Sequence, residues 1–83
     1  MALIFPTAVL KQMKAVPKAD QARIIKALEQ VSRNLSGRMP FVTEMVGEPG
    51  AWRLRKGDWR ATFVIDGTDV VVTRIGNRRE IYR

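Results

Sequence analysis

Residues 51–66 constrain the fold most, because they read as a β-hairpin with two chemically opposite faces. Gly57-Asp58 supplies a two-residue turn, with glycine where positive φ is needed. Folding the chain about that turn sets Lys56 opposite Trp59, Arg55 opposite Arg60 and Arg53 opposite Thr62. Strand side chains alternate between faces. One face therefore carries Arg53, Arg55, Arg60 and Thr62, and the other Trp52, Leu54, Trp59, Ala61, Phe63 and Ile65. The second set demands a core behind it. The first clusters like charges, which costs stability unless an anion neutralises them. A solvated outer face is the alternative, but arginine is the planar, permanently charged, bidentate partner of phosphate and carboxylate. Because this face is not core, truncating Arg60 is expected to leave the fold intact.

The arginines continue beyond the hairpin. Residues 51–83 hold seven Arg and one Lys. The whole chain carries a net charge of +7, which favours an acidic partner such as nucleic acid or an acidic protein. Histidine and cysteine are both absent. That removes the commonest general base and the usual zinc ligands, so neither a metal nor a cofactor is expected. Catalysis, if any, falls to Arg, Lys, Tyr or carboxylates. Glu44 and Glu48 lie on a connector without motif spacing and read as solvated.

The 83 residues predict one small domain spanning 1–83. Their 46% hydrophobic and 28% charged content fits a folded soluble chain. No run of about 18 apolar residues is present, so no membrane span is expected. The opening Met1–Pro6 segment lacks the basic region of a signal peptide. The expected location is the cytoplasm.

Ala2–Phe5 reads as a short strand ended by Pro6. Thr7 can cap a helix running to about residue 15, with Val9, Leu10, Met13 and Val16 along one side. Pro17 breaks it. A second helix begins near Lys18, with Ile24, Ile25, Leu28, Val31 and Leu35 at helical spacing and Gly37 as its C-cap. A short β bridge is expected near Val42–Met45. Strands follow over roughly 51–56, 59–65 and 69–76. For the second hairpin, a three-residue Asp66-Gly67-Thr68 loop puts Val71, Thr73 and Ile75 on the core face. It leaves Arg74 with the other arginines, whereas a two-residue loop would bury an unpaired charge. Ile81 and Tyr82 can add a short final strand. The fold class is α+β: a two-helix hairpin on one face of a small twisted, mainly antiparallel sheet of three or four strands.

The β–α–α–β–β–β order carries two motifs, Trp-Arg-Leu-Arg-x-Gly-Asp-Trp-Arg at 52–60 and Ile-Gly-Asn-Arg-Arg-Glu-Ile-Tyr-Arg at 75–83. Together with Leu10-Lys11 and Val16-Pro17-Lys18, they resemble the RelE/ParE toxins of bacterial and archaeal type II toxin–antitoxin systems. The resemblance spans essentially the whole chain. It implies a ribosome-dependent endoribonuclease (an mRNA interferase) that cuts mRNA in the A site and is neutralised by a cognate antitoxin. ParE-type members share the fold but inhibit DNA gyrase without cutting RNA, and the sequence leaves both branches open.

The resemblance also implies roles. Arg60, Arg78, Tyr82 and Arg55 would be catalytic, and Arg53, Arg55, Lys56 and Arg74 would hold RNA phosphates. Cleavage by the RNA's own 2′-OH needs that hydroxyl deprotonated, a dianionic phosphorane stabilised and the leaving 5′-oxygen protonated. The arginines suit the second task. Tyr82 is the candidate base, helped by surrounding arginines that would favour its phenolate, and Arg55 would orient the leaving group. The chain departs from many relatives at Asn77, where they carry His; Asn cannot relay a proton. Trp52 and Trp59 can stack on bases, but their parity assigns them to the core.

Overall fold

The computed structural model describes residues 2–33, 40–45, 47–48 and 50–81. A strand β1 (Leu3–Ile4) leads to helices α1 (Thr7–Met13) and α2 (Lys18–Arg33). Strands β2 (Val42–Glu44), β3 (Ala51–Lys56), β4 (Trp59–Asp66) and β5 (Asp69–Asn77) follow, and Arg78–Ile81 form a short helix α3. The described strands make one sheet in the order β1-β5-β4-β3-β2. β1 pairs parallel with β5, and every other pairing is antiparallel. Two helices on a mainly antiparallel sheet match the expected class, with five strands in place of three or four.

Both helices bury their apolar stripes against a single face of the sheet. Val9, Met13 and Val16 from the α1 region meet Ile24, Ala27, Leu28 and Val31 of α2 over Leu54, Ala61, Phe63, Val70, Val72 and Ile75. Trp52, Trp59 and Ile65 pack at the margin of this core, as hairpin parity requires. The first hairpin keeps the expected register, with Arg55 opposite Arg60 and Arg53 opposite Thr62.

The helix ends differ from expectation in detail. Thr7 is not a side-chain cap. Pro6 occupies the cap position, and its carbonyl accepts from the Val9 and Leu10 amides at 2.9 and 3.0 Å. Leu10 is exposed. At the other end of α1, Gln21 Nε2 donates to the Met13 and Val16 carbonyls at 2.9 and 2.7 Å, tying α2 to the break at Pro17. Gly37 and Leu35 lie outside the described residues.

The second hairpin corrects the expected loop. Asp66 pairs with Asp69, so Gly67-Thr68 is a two-residue turn, and Gly67 sits at φ +63°. Val70 and Val72 are then fully buried, while Val71 faces outward opposite Val64. Yet Arg74 is exposed. A register shift reconciles the two facts: Phe63 pairs with Val72 but Thr62 with Arg74, so Thr73 is an extra residue on β5. An extra residue reverses strand parity. Ile75 therefore returns to the core opposite Ala61. Thr73 is solvent-facing, bonded through Oγ1 to Thr62 Oγ1 at 2.7 Å.

Because β1 covers only Val70 and Val71, the remainder of β5 has an open edge. There the Ile75 amide donates to Gln12 Oε1 of α1 at 2.8 Å, which satisfies a backbone donor that no described strand reaches. Arg78–Ile81 are helical, so Ile81 does not start the short final strand expected at Ile81 and Tyr82. The Arg78 amide donates to the Asp58 carbonyl at 2.8 Å, which docks α3 on the β3–β4 turn.

Candidate functional site

The sheet face away from the helices carries arginines in adjacent rows. One row crosses four strands through Thr43, Arg53, Thr62 and Arg74. The next holds Arg55 and Arg60, directly opposed, with side-chain-free Gly76 beside Arg60 on β5. Arg53, Arg55 and Arg60 converge on a shallow cleft of about 160 Å³, walled on its other side by Pro40, Phe41 and Thr43. None of these lining residues is a carboxylate. Sequence reasoning missed that wall, although the expected β bridge contained its signal: pairing Val42 with Leu54 aligns Thr43 beside Arg53. The Arg55 amide also donates to the Phe41 carbonyl at 2.8 Å, so the connector is drawn over the arginines.

Arg60 differs from the expectation most. It is only 9% exposed, although it points away from the main core. Its Nη1 donates to the Gly57 carbonyl at 2.8 Å and the Trp59 carbonyl at 2.9 Å. The guanidinium thus clamps the β3–β4 turn while lining the cleft. A charge this buried persists because carbonyl oxygens solvate it. The expectation that truncating Arg60 leaves the fold untouched is therefore corrected. Arg55, by contrast, is exposed.

The remaining site residues disperse. Arg74 extends the arginine face, and its Nη2 donates to the Glu80 carbonyl of α3 at 3.3 Å. Arg78 does not line the cleft; its Nε sits 3.7 Å from Asp58 Oδ1, beside the turn. Lys56 belongs to the opposite parity, and its Nζ lies 5.6 Å from the Phe41 ring centroid. Tyr82 lies outside the described residues. Asn77 Oδ1 accepts from the Arg79 amide at 3.0 Å, starting α3. Trp59 is held on the helix side by Nε1 donation to Asp20 Oδ2 at 3.1 Å, so neither Trp lines the arginine cleft. Glu44 and Glu48 are exposed and away from it.

What this arrangement can do is bind and polarise an anion. Guanidinium groups on a rigid sheet stabilise negative charge without reorganising as it develops. Among the described residues, no group of three carboxylates could hold a metal ion. No described helix is long and apolar enough to cross a membrane.

The fold is shared with solved toxins. The RelE of the RelB–RelE antitoxin–toxin complex from Methanococcus jannaschii superposes with a TM-score of 0.80 at 22% identity, covering 95% of this chain and 94% of that one. The RelBE2 toxin–antitoxin complex of Mycobacterium tuberculosis contains a chain that matches with a TM-score of 0.76 at 22% identity, over 93% and 96% of the two chains. The isolated Escherichia coli RelE toxin matches with a TM-score of 0.77 at 21% identity, over 98% and 89%. No curated protein sequence matches the chain. The family model for the ParE toxin of type II toxin–antitoxin systems, parDE, matches residues 3–82. A match over nearly every residue, joined to this fold, shows that the chain belongs to the ParE toxin family of type II toxin–antitoxin systems, within the RelE/ParE superfamily.

Proposed function

We propose that this toxin is a ribosome-dependent mRNA endoribonuclease, an interferase that stops translation and is restrained by a cognate antitoxin. One observation carries the reading: Arg53, Arg55 and Arg60 converge on a single cleft, with Arg55 directly opposite Arg60 across the β3–β4 pair. Directly opposed like charges on a sheet are destabilising. Arg55 and Arg60 stand in that relation, and a phosphate between them would neutralise the pair.

In this scheme Arg60, fixed by its two turn carbonyls, is the preorganised donor to the phosphorane. Exposed Arg55 orients the leaving 5′-oxygen, and Arg53 holds the scissile phosphate, with Arg74 on the next phosphate along its row. Arg78, outside the cleft lining, reaches the phosphate by leaving Asp58 for it. The chain has no histidine, and by resemblance to RelE-type toxins removing the 2′-proton is given to Tyr82. The toxins of the Methanococcus jannaschii and Mycobacterium tuberculosis complexes are bound to antitoxins. A net charge of +7 suits an acidic antitoxin segment here.

The ParE name of the matched family favours a second reading, inhibition of DNA gyrase with no RNA cleavage. A reconstituted translation reaction separates them. The first reading expects mRNA cut at the A-site codon, leaving a cyclic phosphate end. Intact mRNA, together with gyrase-dependent DNA breaks, would establish the second.

A further inference from the structure

A second basic surface lies around the sheet edge, on the helix side. Arg23, Lys26 and Gln30 stand at i, i+3 and i+7 on α2 and share one exposed face. With Lys56 at the end of β3 they line a cleft of about 340 Å³. Its lining residues include no carboxylate. The neighbouring acid, Asp20, is engaged by Arg23 at 3.4 Å and by the Trp59 indole at 3.1 Å.

This surface joins the arginine cleft. Phe41 walls that cleft, and Lys56 Nζ stands 5.6 Å from its ring centroid. The Phe41–Lys56 pair is therefore a bridge: arginines lie on one side, Arg23 and Lys26 on the other. A polyanion leaving the arginine cleft past Phe41 meets further cations. Phe41 itself, half-buried, packs against the core and so fixes the place of the crossing.

We propose that single-stranded RNA held in the arginine cleft continues over the Phe41–Lys56 edge onto α2, where Arg23 and Lys26 contact its flanking phosphates. The inference rests on the reading of the arginine face as an RNA site. Charge complementarity and continuity with that face select RNA as the occupant. An acidic protein segment is the competing occupant.

The test compares short and long strands. Probes are 4- and 12-nucleotide oligouridylates with 2′-O-methyl groups, which cannot be cleaved through their own 2′-oxygen. Even stacked at about 3.4 Å per phosphate, the longer strand outreaches the 30 Å longest dimension of the molecule. The variant is Arg23→Ala/Lys26→Ala, with its melting temperature as the control for folding. For single strands, log K falls with log salt at about 0.7 per phosphate contacted. Losing two contacts lowers the slope for the 12-mer by about 1.4, so a fourfold rise in salt weakens wild type by about sevenfold more than the variant. Binding of the 4-mer stays unchanged. An unaltered 12-mer slope, with both probes still bound, overturns the α2 track alone. If wild type binds neither probe, the track as a site for single-stranded RNA is overturned, while the arginine-face reading is decided separately by A-site mRNA cleavage on ribosomes.

Discussion

Arg60→Ala is the substitution whose outcome the structure most changes. The side chain is 9% exposed, and Nη1 bonds the Gly57 and Trp59 carbonyls at 2.8 and 2.9 Å. Hydrogen bonds from a charged donor contribute about 1.5–3 kcal/mol. Removing Arg60 also relieves its repulsion with Arg55, a gain of at most about 1 kcal/mol for a directly opposed pair. Counting the shared Nη1 donor once, the net expectation is a loss of about 0.5–3 kcal/mol. In a domain of this size each kcal/mol moves Tm by about 4–8 °C, so the variant should melt about 2–24 °C lower. Arg55→Ala is the matched control, because Arg55 is exposed and is not one of the turn's clamps. Its stability should not fall by more than the roughly 0.5 kcal/mol typical of surface changes, and the same relief of repulsion can raise it by up to about 1 kcal/mol. Thermal melts followed by circular dichroism measure both. Equal Tm for Arg60→Ala and wild type would refute the clamp, and an equal fall in both variants would show that the two arginines are not structurally distinct.

Gly57→Ala tests backbone strain in isolation: Gly57 sits at φ +60° and an added Cβ meets nothing within 4 Å, so a loss of about 1 kcal/mol is expected in denaturant titration. Gln12→Ala strands the Ile75 amide on the open edge of β5; it should cost about 1–3 kcal/mol and speed hydrogen exchange at Ile75. Asp20→Ala removes the acceptor of the Trp59 indole, and should lower stability by about 1 kcal/mol and red-shift tryptophan emission. Phe63→Ala hollows the centre of the core, where the ring is 1% exposed, with an expected loss of about 3–5 kcal/mol by chemical denaturation.

The first hairpin was legible because its cues agree: a Gly-Asp turn, strict alternation and a single apolar face leave one register open. The second was not, because its cues conflict. Val70 and Val72 want burial, Ile75 wants burial on the other parity, and Arg74 must stay out. No regular strand satisfies all of them. The extra residue at Thr73 does, and nothing local in Thr73-Arg74 announces it. Arg60 was assigned to the correct face but not to its burial. Its hydrogen bonds to the Gly57 and Trp59 carbonyls fold the guanidinium back on its own turn, and Pro40 and Phe41, from a distant part of the chain, wall the cleft it lines. Lys56 shows the reverse case. Its parity with Trp59 was already in the sequence and separates it from Arg53 and Arg55, yet charge alone grouped the three.

The central claim is that the arginine cleft stabilises the charge of RNA cleavage. The most direct measurement is the single-turnover cleavage rate of A-site mRNA on programmed ribosomes, for wild type and for Arg55→Ala of undiminished Tm. Arg55 faces the leaving 5′-oxygen, where charge also develops, and removing a donor to a developing anion costs on the order of 10²–10³ in rate. The account predicts that loss in cleavage by a fully folded variant. Cleavage at the wild-type rate, or no cleavage by the wild-type toxin itself, would contradict it.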